Sequence, residues 1–160
     1  MSYLLLFSLC ASINNFDPPG KKYDLSAYQK KTACKLAPHI EESANKNSLD
    51  PYIFTALIIV ESGFDSKAVS SAGACGLTQV IPRYTGGPAT LKKKYTCREL
   101  FKPKTSIRVG TQILSWWVEY RKGDIRSALC SYNAGFPGCR RAARYAKKVL
   151  LLAHHLRIAN

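Results

Sequence analysis

A glutamate at the end of an apolar helix is the strongest chemical signal in this 160-residue sequence. Asp50 and Pro51 are typical of a helix N-terminus, and Gly63 is typical of a helix end. The residues between them are strongly apolar and finish with Glu61 and a serine. The pattern therefore predicts a helix over residues 51–62 that carries an acidic side chain in its last turn.

The environment predicted for Glu61 is what gives this carboxylate a chemical interest. Phe54, Leu57 and Ile58 precede it by seven, four and three residues, so the four side chains share one helical face. If that face is buried, the loss of water disfavours the anion, and the pKa should rise from ~4.3 toward ~6. A carboxyl group with a raised pKa suits a general acid. The alternative is that Glu61 lies at a frayed helix end and pairs with a lysine.

Two further polar motifs follow the glutamate. The first is Ser-Ser-Ala-Gly-Ala-Cys-Gly-Leu-Thr-Gln at residues 70–79, whose glycines fit a tight turn where the backbone approaches another group closely. Its last residue, Gln79, offers both a donor and an acceptor. The second is Ser-Tyr-Asn-Ala-Gly at residues 131–135, which adds Tyr132 and Asn133.

The three motifs together resemble those of the soluble lytic transglycosylase family, lysozyme-like enzymes that cut peptidoglycan glycan strands. That family has E-S, then S-x-x-G-A-x-G-L-x-Q, then A-Y-N-A-G, and only the first alanine of the last motif is changed here, to Ser131. The resemblance covers roughly residues 31–160 and ends in a family-like helix, Tyr-Ala-x-x-Val-Leu, at residues 145–150. It implies a mainly α, lysozyme-like single domain, which can include a small minor sheet.

The resemblance also implies roles for particular side chains. Glu61 would be the catalytic residue, and Ser62 and Gln79 would contact the substrate or orient its N-acetyl group. Tyr132 and Asn133 would hold Glu61 and the sugar. The residues themselves agree for Tyr132, because helical spacing puts it on an inward stripe near the end of a helix, within reach of a buried Glu61.

The sequence offers Glu61 no obvious second carboxylate, and this bears on the type of reaction. A glycosidase normally needs a second carboxylate ~5–5.5 Å or ~6.5–9.5 Å from its acid, yet no Asp or Glu lies between Ser66 and Arg98. The helper aspartates of goose-type lysozymes have no counterpart here. The sequence therefore favours a transglycosylase in which Glu61 acts first as acid and then as base. A goose-type-like hydrolase and a non-catalytic basic glycan-binding module are the alternatives.

Charge and composition limit the partners. The formal net charge is +14 and the pI is about 9.7, so we expect anionic partners, among which peptidoglycan qualifies. No zinc-finger, helix-turn-helix or RNP-like pattern is present, which makes nucleic acid the weaker choice. No apolar run reaches the ~20 residues that span a bilayer. We expect a monomer that uses neither metal nor cofactor.

The first 20 residues are predicted to form a segment separate from the catalytic domain. An apolar stretch followed by a Pro-Pro-Gly sequence predicts an export segment and linker over residues 1–20 and a catalytic domain over residues 21–160. The alternative is an apolar helix or strand that docks on the domain. Export would place the protein in the periplasm or cell wall, or a phage would deliver it there.

Six cysteines also indicate an oxidising compartment. If Cys10 is removed with the export segment, one of the remaining five is unpaired. Cys97, Cys130 and Cys139 bracket the Tyr-Asn motif, so a bridge among them would hold that loop. Buried free thiols are the alternative, and connectivity stays open.

The periodicity elsewhere predicts helices almost throughout. One covers about residues 26–46, another starts near Thr105, a third is capped by Asp124, and a last one closes the chain. In the second of these, the spacing of the aromatic residues predicts that Trp116 and Trp117 belong to the core, with platforms for sugar rings as the alternative. In the last, alanines, valine and leucine are predicted to face inward and five arginines and lysines outward.

Overall fold

Helices dominate the computed structural model, which describes residues 3–159, with side chains from residue 9 onward. The α-helices in this part of the chain are α1 (Tyr3–Asn14), α2 (Ala27–Lys46), α3 (Pro51–Ser62), α4 (Cys97–Leu100), α5 (Pro103–Tyr120), α6 (Ile125–Ala134) and α7 (Cys139–Ile158). Short 3₁₀ turns lie at Lys21–Tyr23, Pro82–Tyr84 and Pro88–Thr90. Across residues 3–159 no helix has both the length and the apolar character needed to cross a bilayer.

The mainly α architecture predicted from the sequence is confirmed. The second and third helices begin and end within one residue of their predicted bounds, and α5 begins at Pro103, two residues before the predicted Thr105. The small sheet is reduced, in the described residues, to two isolated antiparallel bridges, in which Cys75 pairs with Val69 and with Val80.

Helix α3 is the central element of the core. Asp50 caps it, because its Oδ1 accepts hydrogen bonds from the backbone N–H groups of Tyr52 and Ile53. Every side chain from Phe54 to Ile59 is buried, as expected for a helix that is apolar on all sides. The helix packs against α7 and α2. Gly63, with φ of 56°, ends it.

Helix α7 covers the other side of α3 and has two chemically distinct faces. The residues predicted to face inward are all buried: Ala142, Ala146, Val149, Ala153 and Leu156. Of the five cations predicted to face outward, four are exposed and Lys148 is half-buried. This helix contains no acidic residue, so its outer face is strongly positive.

The first helix docks on the domain. Leu9, Ile13 and Phe16 are buried in the main core, and a disulfide joins Cys10 to Cys34 of α2. The docking that the sequence left as an alternative is therefore present in the structure. An export role for residues 1–20 remains a prediction that this packing does not test, and residues 1 and 2 lie outside the described residues.

Two further disulfides fix the segments that carry the polar motifs. Cys130 bonds to Cys139, which confirms the bridge expected around the Tyr-Asn motif. Cys97 bonds instead to Cys75, inside the glycine-rich motif. All six cysteines are paired, and Cys10, whose removal would leave five, is the partner of Cys34. Each bridge restricts the unfolded chain, with a typical stabilisation of ~2–4 kcal/mol.

Candidate active site

Glu61 lies half-buried in the last turn of α3, the helix against which α7 packs. The hydroxyl of Tyr145, on α7, donates a hydrogen bond of 2.5 Å to Glu61 Oε1. Burial raises the pKa of Glu61 from 4.5 to about 7, and the Tyr145 hydrogen bond acts in the opposite direction because it stabilises the carboxylate. The rise predicted from the sequence is confirmed.

A pKa near 7 allows Glu61 to exchange its proton in both directions at neutral pH. A group in this range is protonated often enough to donate and ionised often enough to accept, which matches acid and base chemistry in one cycle. All ten Asp and Glu side chains lie in the described part of the chain, and none of the other nine contributes to the pKa shift of Glu61. Among the described residues, no second carboxylate therefore acts on the proton of Glu61.

Ser62 connects the end of α3 to the glycine-rich motif. Its hydroxyl lies 2.8 Å from the carbonyl oxygen of Leu77, to which it donates. On the other side of the helix end, Gln29 Nε2 donates to the carbonyl of Gly63 at 2.8 Å. These two contacts hold the last turn of α3, and Glu61 with it, between the motif and α2.

The glycine-rich motif is a tight turn pressed against the neighbouring backbone. Gly76 has φ of 76°, and a Cβ at this position would lie 2.2 Å from the carbonyl oxygen of Leu100. Gln79 Nε2 donates to the carbonyls of Gly76 and Ala68, at 3.0 and 3.1 Å. The amide nitrogen of Gln79 is thereby engaged within the turn, and its Oε1 is the atom that it can offer a ligand.

Tyr132 does not hydrogen-bond to Glu61, so that prediction is wrong. Its hydroxyl donates to the carbonyl of Thr78 at 2.8 Å, which ties α6 to the glycine-rich motif. The residue faces inward as its helical stripe predicted, but α6 ends beside the motif, whereas α7 runs along α3 and brings Tyr145 to Glu61. Burial and the nearby charge of Glu61 raise the pKa of Tyr132 well above its ordinary value.

Asn133 is exposed in the last turn of α6, next to Tyr132. Its role in binding substrate stays a prediction. The described residues contain no group of three or more His, Cys, Asp or Glu side chains arranged to hold a metal ion.

Tyr145 is the functional candidate that the sequence analysis missed. In the sequence it is the first residue of the family-like Tyr-Ala-x-x-Val-Leu helix. Its position one residue before Ala146 and four before Val149 places it beside an inward face built almost wholly of small apolar residues. A single tyrosine at the edge of such a face needs a partner for its hydroxyl, and this was the available signal.

Residues 38–150 match the family model described as "Transglycosylase SLT domain". The chain belongs to this family. The matched range of the SLT domain contains Glu61, Gln79, Tyr132 and Tyr145, whereas α1 lies outside it.

The relatives that this chain matches below are much longer than the chain itself. "Membrane-bound lytic murein transglycosylase C" of Yersinia enterocolitica is 32% identical over 117 residues, and the protein of the same name from Yersinia pestis is equally similar. The match covers 66% of this chain but only 32% of the relative. The chain therefore spans about a third of the length of these relatives.

Solved structures confirm the predicted lysozyme-like fold of the SLT domain. The 70 kDa soluble lytic transglycosylase of Escherichia coli superposes with a TM-score of 0.68 at 19% identity, over 81% of this chain and 27% of that chain. An inactive glutamate-to-glutamine mutant of the lytic transglycosylase Slt from Pseudomonas aeruginosa gives 0.61 at 23% identity, over 76% and 23%. At these identities the likeness shows the fold.

Removing the Tyr145 hydroxyl tests the hydrogen bond at the centre of this SLT domain. In Tyr145→Phe the carboxylate of Glu61 loses its donor, so we expect the pKa of Glu61 to rise further. If protonated Glu61 is the working acid, activity falls as pH rises through this pKa. The fall should therefore move to higher pH in the variant, and rates at the optimum should drop roughly 10-fold.

The measurement is the pH dependence of the turnover number on purified peptidoglycan. Tyr28→Phe is a matched control, since this tyrosine is exposed on α2 and loses the same hydroxyl. An unchanged pH profile in Tyr145→Phe would show that the hydrogen bond does not set the protonation of the acid.

Proposed function

We propose that this protein is a peptidoglycan lytic transglycosylase, which cleaves the β-1,4 bond between MurNAc and GlcNAc without water. The observation that carries the proposal is the half-buried Glu61, with a pKa of about 7 and no second carboxylate contributing to its environment. Membership of the SLT domain family and the names of the relatives support it. One solved neighbour is also named as inactive after a glutamate-to-glutamine change.

In the first step, protonated Glu61 donates its proton to the glycosidic oxygen, and the bond from that oxygen to the MurNAc anomeric carbon breaks. GlcNAc leaves with a new hydroxyl group. The positive charge that develops on the MurNAc ring is stabilised by the oxygen of its own N-acetyl group, since the site has no second carboxylate to do so.

In the second step, ionised Glu61 removes the proton from the MurNAc 6-hydroxyl. The freed oxygen attacks the anomeric carbon of the same sugar and closes a 1,6-anhydro ring, so Glu61 ends the cycle protonated. The hydroxyl of Tyr145 stabilises the carboxylate between the two steps, because its hydrogen bond is stronger to the charged form.

The other predicted residues divide into two groups in this scheme. Ser62 and Tyr132 hold the glycine-rich motif against α3 and α6, through the carbonyls of Leu77 and Thr78. Gln79, through Oε1, and the exposed Asn133 are the groups that would contact the N-acetyl and hydroxyl groups of the sugars. Beside this positioning role, the contact with substrate predicted for Ser62 and Tyr132 stays a proposal, as do the contacts of Gln79 and Asn133.

The setting is proposed on the same basis. Peptidoglycan is an extracytoplasmic polymer, and three disulfides favour an oxidising compartment. We therefore propose that the enzyme acts in the periplasm or cell wall, either after export or after delivery by a phage. A net charge of +14 favours contact with the anionic wall. We propose that it works as a monomer.

The decisive experiment is mass analysis of the fragments released from purified peptidoglycan. We expect 1,6-anhydroMurNAc ends, which are lighter than reducing ends by one water. Reducing ends would identify a hydrolase of the goose-type kind. Binding to cell walls without release of fragments would identify a non-catalytic glycan-binding module.

A further inference from the structure

Four aromatic rings form a cluster where α5 ends and α6 has just ended. Tyr120 stacks on Trp116 with ring centroids 5.4 Å apart, and Phe136 meets Trp117 edge-on at 5.3 Å. Tyr120 and Phe136 also touch each other at 5.6 Å, although they are 51% and 67% exposed. We call these four residues the aromatic patch. Trp117 is buried as predicted, whereas Trp116 is only half-buried beneath Tyr120.

An arginine fixes the exposed part of the aromatic patch. Arg121 Nη2 donates to the carbonyl of Phe136, and its Nε donates to the hydroxyl of Ser131, both at 2.9 Å. The guanidinium also lies 5.4 Å from the ring centre of Tyr120. Ser131 is the position at which this chain departs from the family motif, and its buried hydroxyl is what accepts from the arginine.

The chain around Phe136 has little freedom to move away. The Cys130–Cys139 disulfide closes this segment into a short loop. Gly138 has φ of 52°, and a Cβ there would lie 3.1 Å from Arg121 Nη2. An exposed ring held in one place loses little conformational entropy when a ligand covers it, so the aromatic patch is preorganised for binding.

The aromatic patch is linked to the glycine-rich motif and to Asn133 through helices α5 and α6. Gly110 of α5 packs against Thr78, the residue whose carbonyl accepts from Tyr132. Trp117 is seven residues further along the same helix, which corresponds to about 10 Å at the rise of an α-helix. Phe136 follows the exposed Asn133 by three residues. The patch therefore lies further along α5 from the contact with Thr78, and just beyond the end of α6 that carries Asn133.

We propose that the aromatic patch is a distal sugar-binding subsite, on which a pyranose ring of the glycan strand stacks against Phe136 and Tyr120. The proposal rests on the proposed function for the identity of the glycan. Sugar rings present apolar C–H faces that pack on flat aromatic rings, and rigid aromatic side chains supply that area at low entropic cost. Continuity with Asn133 favours the substrate strand over a protein partner or a second copy of the chain.

The test compares variants of Phe136 on peptide-free MurNAc-GlcNAc strands separated by length. Phe136→Ala should raise KM roughly 3- to 10-fold on long strands and leave kcat unchanged, as expected for the loss of one aromatic contact. Short oligosaccharides that do not reach the patch should be cleaved as before. Phe136→Leu should behave like Phe136→Ala, because leucine supplies apolar volume without a flat face, whereas Phe136→Tyr should behave like the unaltered protein.

Leu151→Ala, at a 44% exposed apolar position on α7, is the control and should cleave both lengths normally. Three results would overturn the subsite: unchanged KM on long strands, equal losses on short and long ones, or full activity in Phe136→Leu. An unchanged KM on long strands would indicate instead that the patch binds a protein partner or a second copy of the chain. If the unaltered protein cleaves nothing, the proposed function fails by itself. Quenching of tryptophan fluorescence by the same strands then still measures whether Phe136→Ala weakens binding.

Discussion

Glu61→Gln is expected to lower the rate of peptidoglycan cleavage by ~10²–10⁴-fold, the usual contribution of a positioned general acid. Glutamine keeps the size of the side chain, and its Oε1 can still accept the hydrogen bond from Tyr145. What it cannot do is give a proton to the glycosidic oxygen or take one from the 6-hydroxyl. Since no second carboxylate contributes to the site, nothing else is available to replace it.

The same variant carries its own control for folding. Between pH 4.5 and about 7 the folded protein holds a proton on Glu61 that the unfolded chain has lost, so stability falls as pH rises through this window. Above it, the buried anion costs about 3 kcal/mol. Glutamine does not ionise, so the variant does not lose this stability as pH rises. In urea unfolding, Glu61→Gln should match the unaltered protein near pH 4 and be up to about 3 kcal/mol more stable near pH 8.

Glu41→Gln is the matched control for activity. Burial also raises the pKa of this half-buried carboxyl, but it lies on α2 and does not touch Tyr145. It should cleave peptidoglycan at the normal rate. A Glu61→Gln protein that is folded by the urea test and still cleaves would move the acid to another residue and remove the basis of the proposed mechanism.

Local features of the chain could be predicted from the sequence because interactions between residues close in the chain determine them. Asp50, Pro51 and Gly63 fixed the bounds of α3, and the apolar face before Glu61 was enough to predict its burial and raised pKa. The inward residues of α7 followed from helical spacing in the same way. In each case the interacting groups lie within one or two helical turns of each other.

Contacts between side chains on different helices could not be predicted, because helical periodicity does not determine which helices pack against each other. Tyr132 and Tyr145 both face inward, and only the packing of α7 along α3 selects the second of them as the partner of Glu61, 84 residues away. The bridge from Cys75 to Cys97 and the contact of Arg121 with Ser131 depend on packing in the same way. Helical pattern limits such pairings but does not choose among them.

The glycine-rich motif gives the second large effect. Gly76→Ala should destabilise the protein by about 3 kcal/mol or more and lower Tm by roughly 10 °C, because its Cβ would meet the carbonyl of Leu100 and its φ of 76° disfavours any side chain. Gly73→Ala separates the two causes, since it has φ of 80° but open space around it. It should cost only about 1–2 kcal/mol.

Calorimetric melting of the two glycine variants is the measurement, and the difference between them reports the close approach of Gly76 to Leu100. Equal losses of Tm would mean that the two backbones do not meet as the structure has them. The approach matters for the site, because the same turn carries Gln79 and accepts the hydroxyl of Ser62 through Leu77. Any Gly76→Ala protein that folds should therefore also cleave glycan more slowly than Gly73→Ala, since α3 and Glu61 lose the support of that turn.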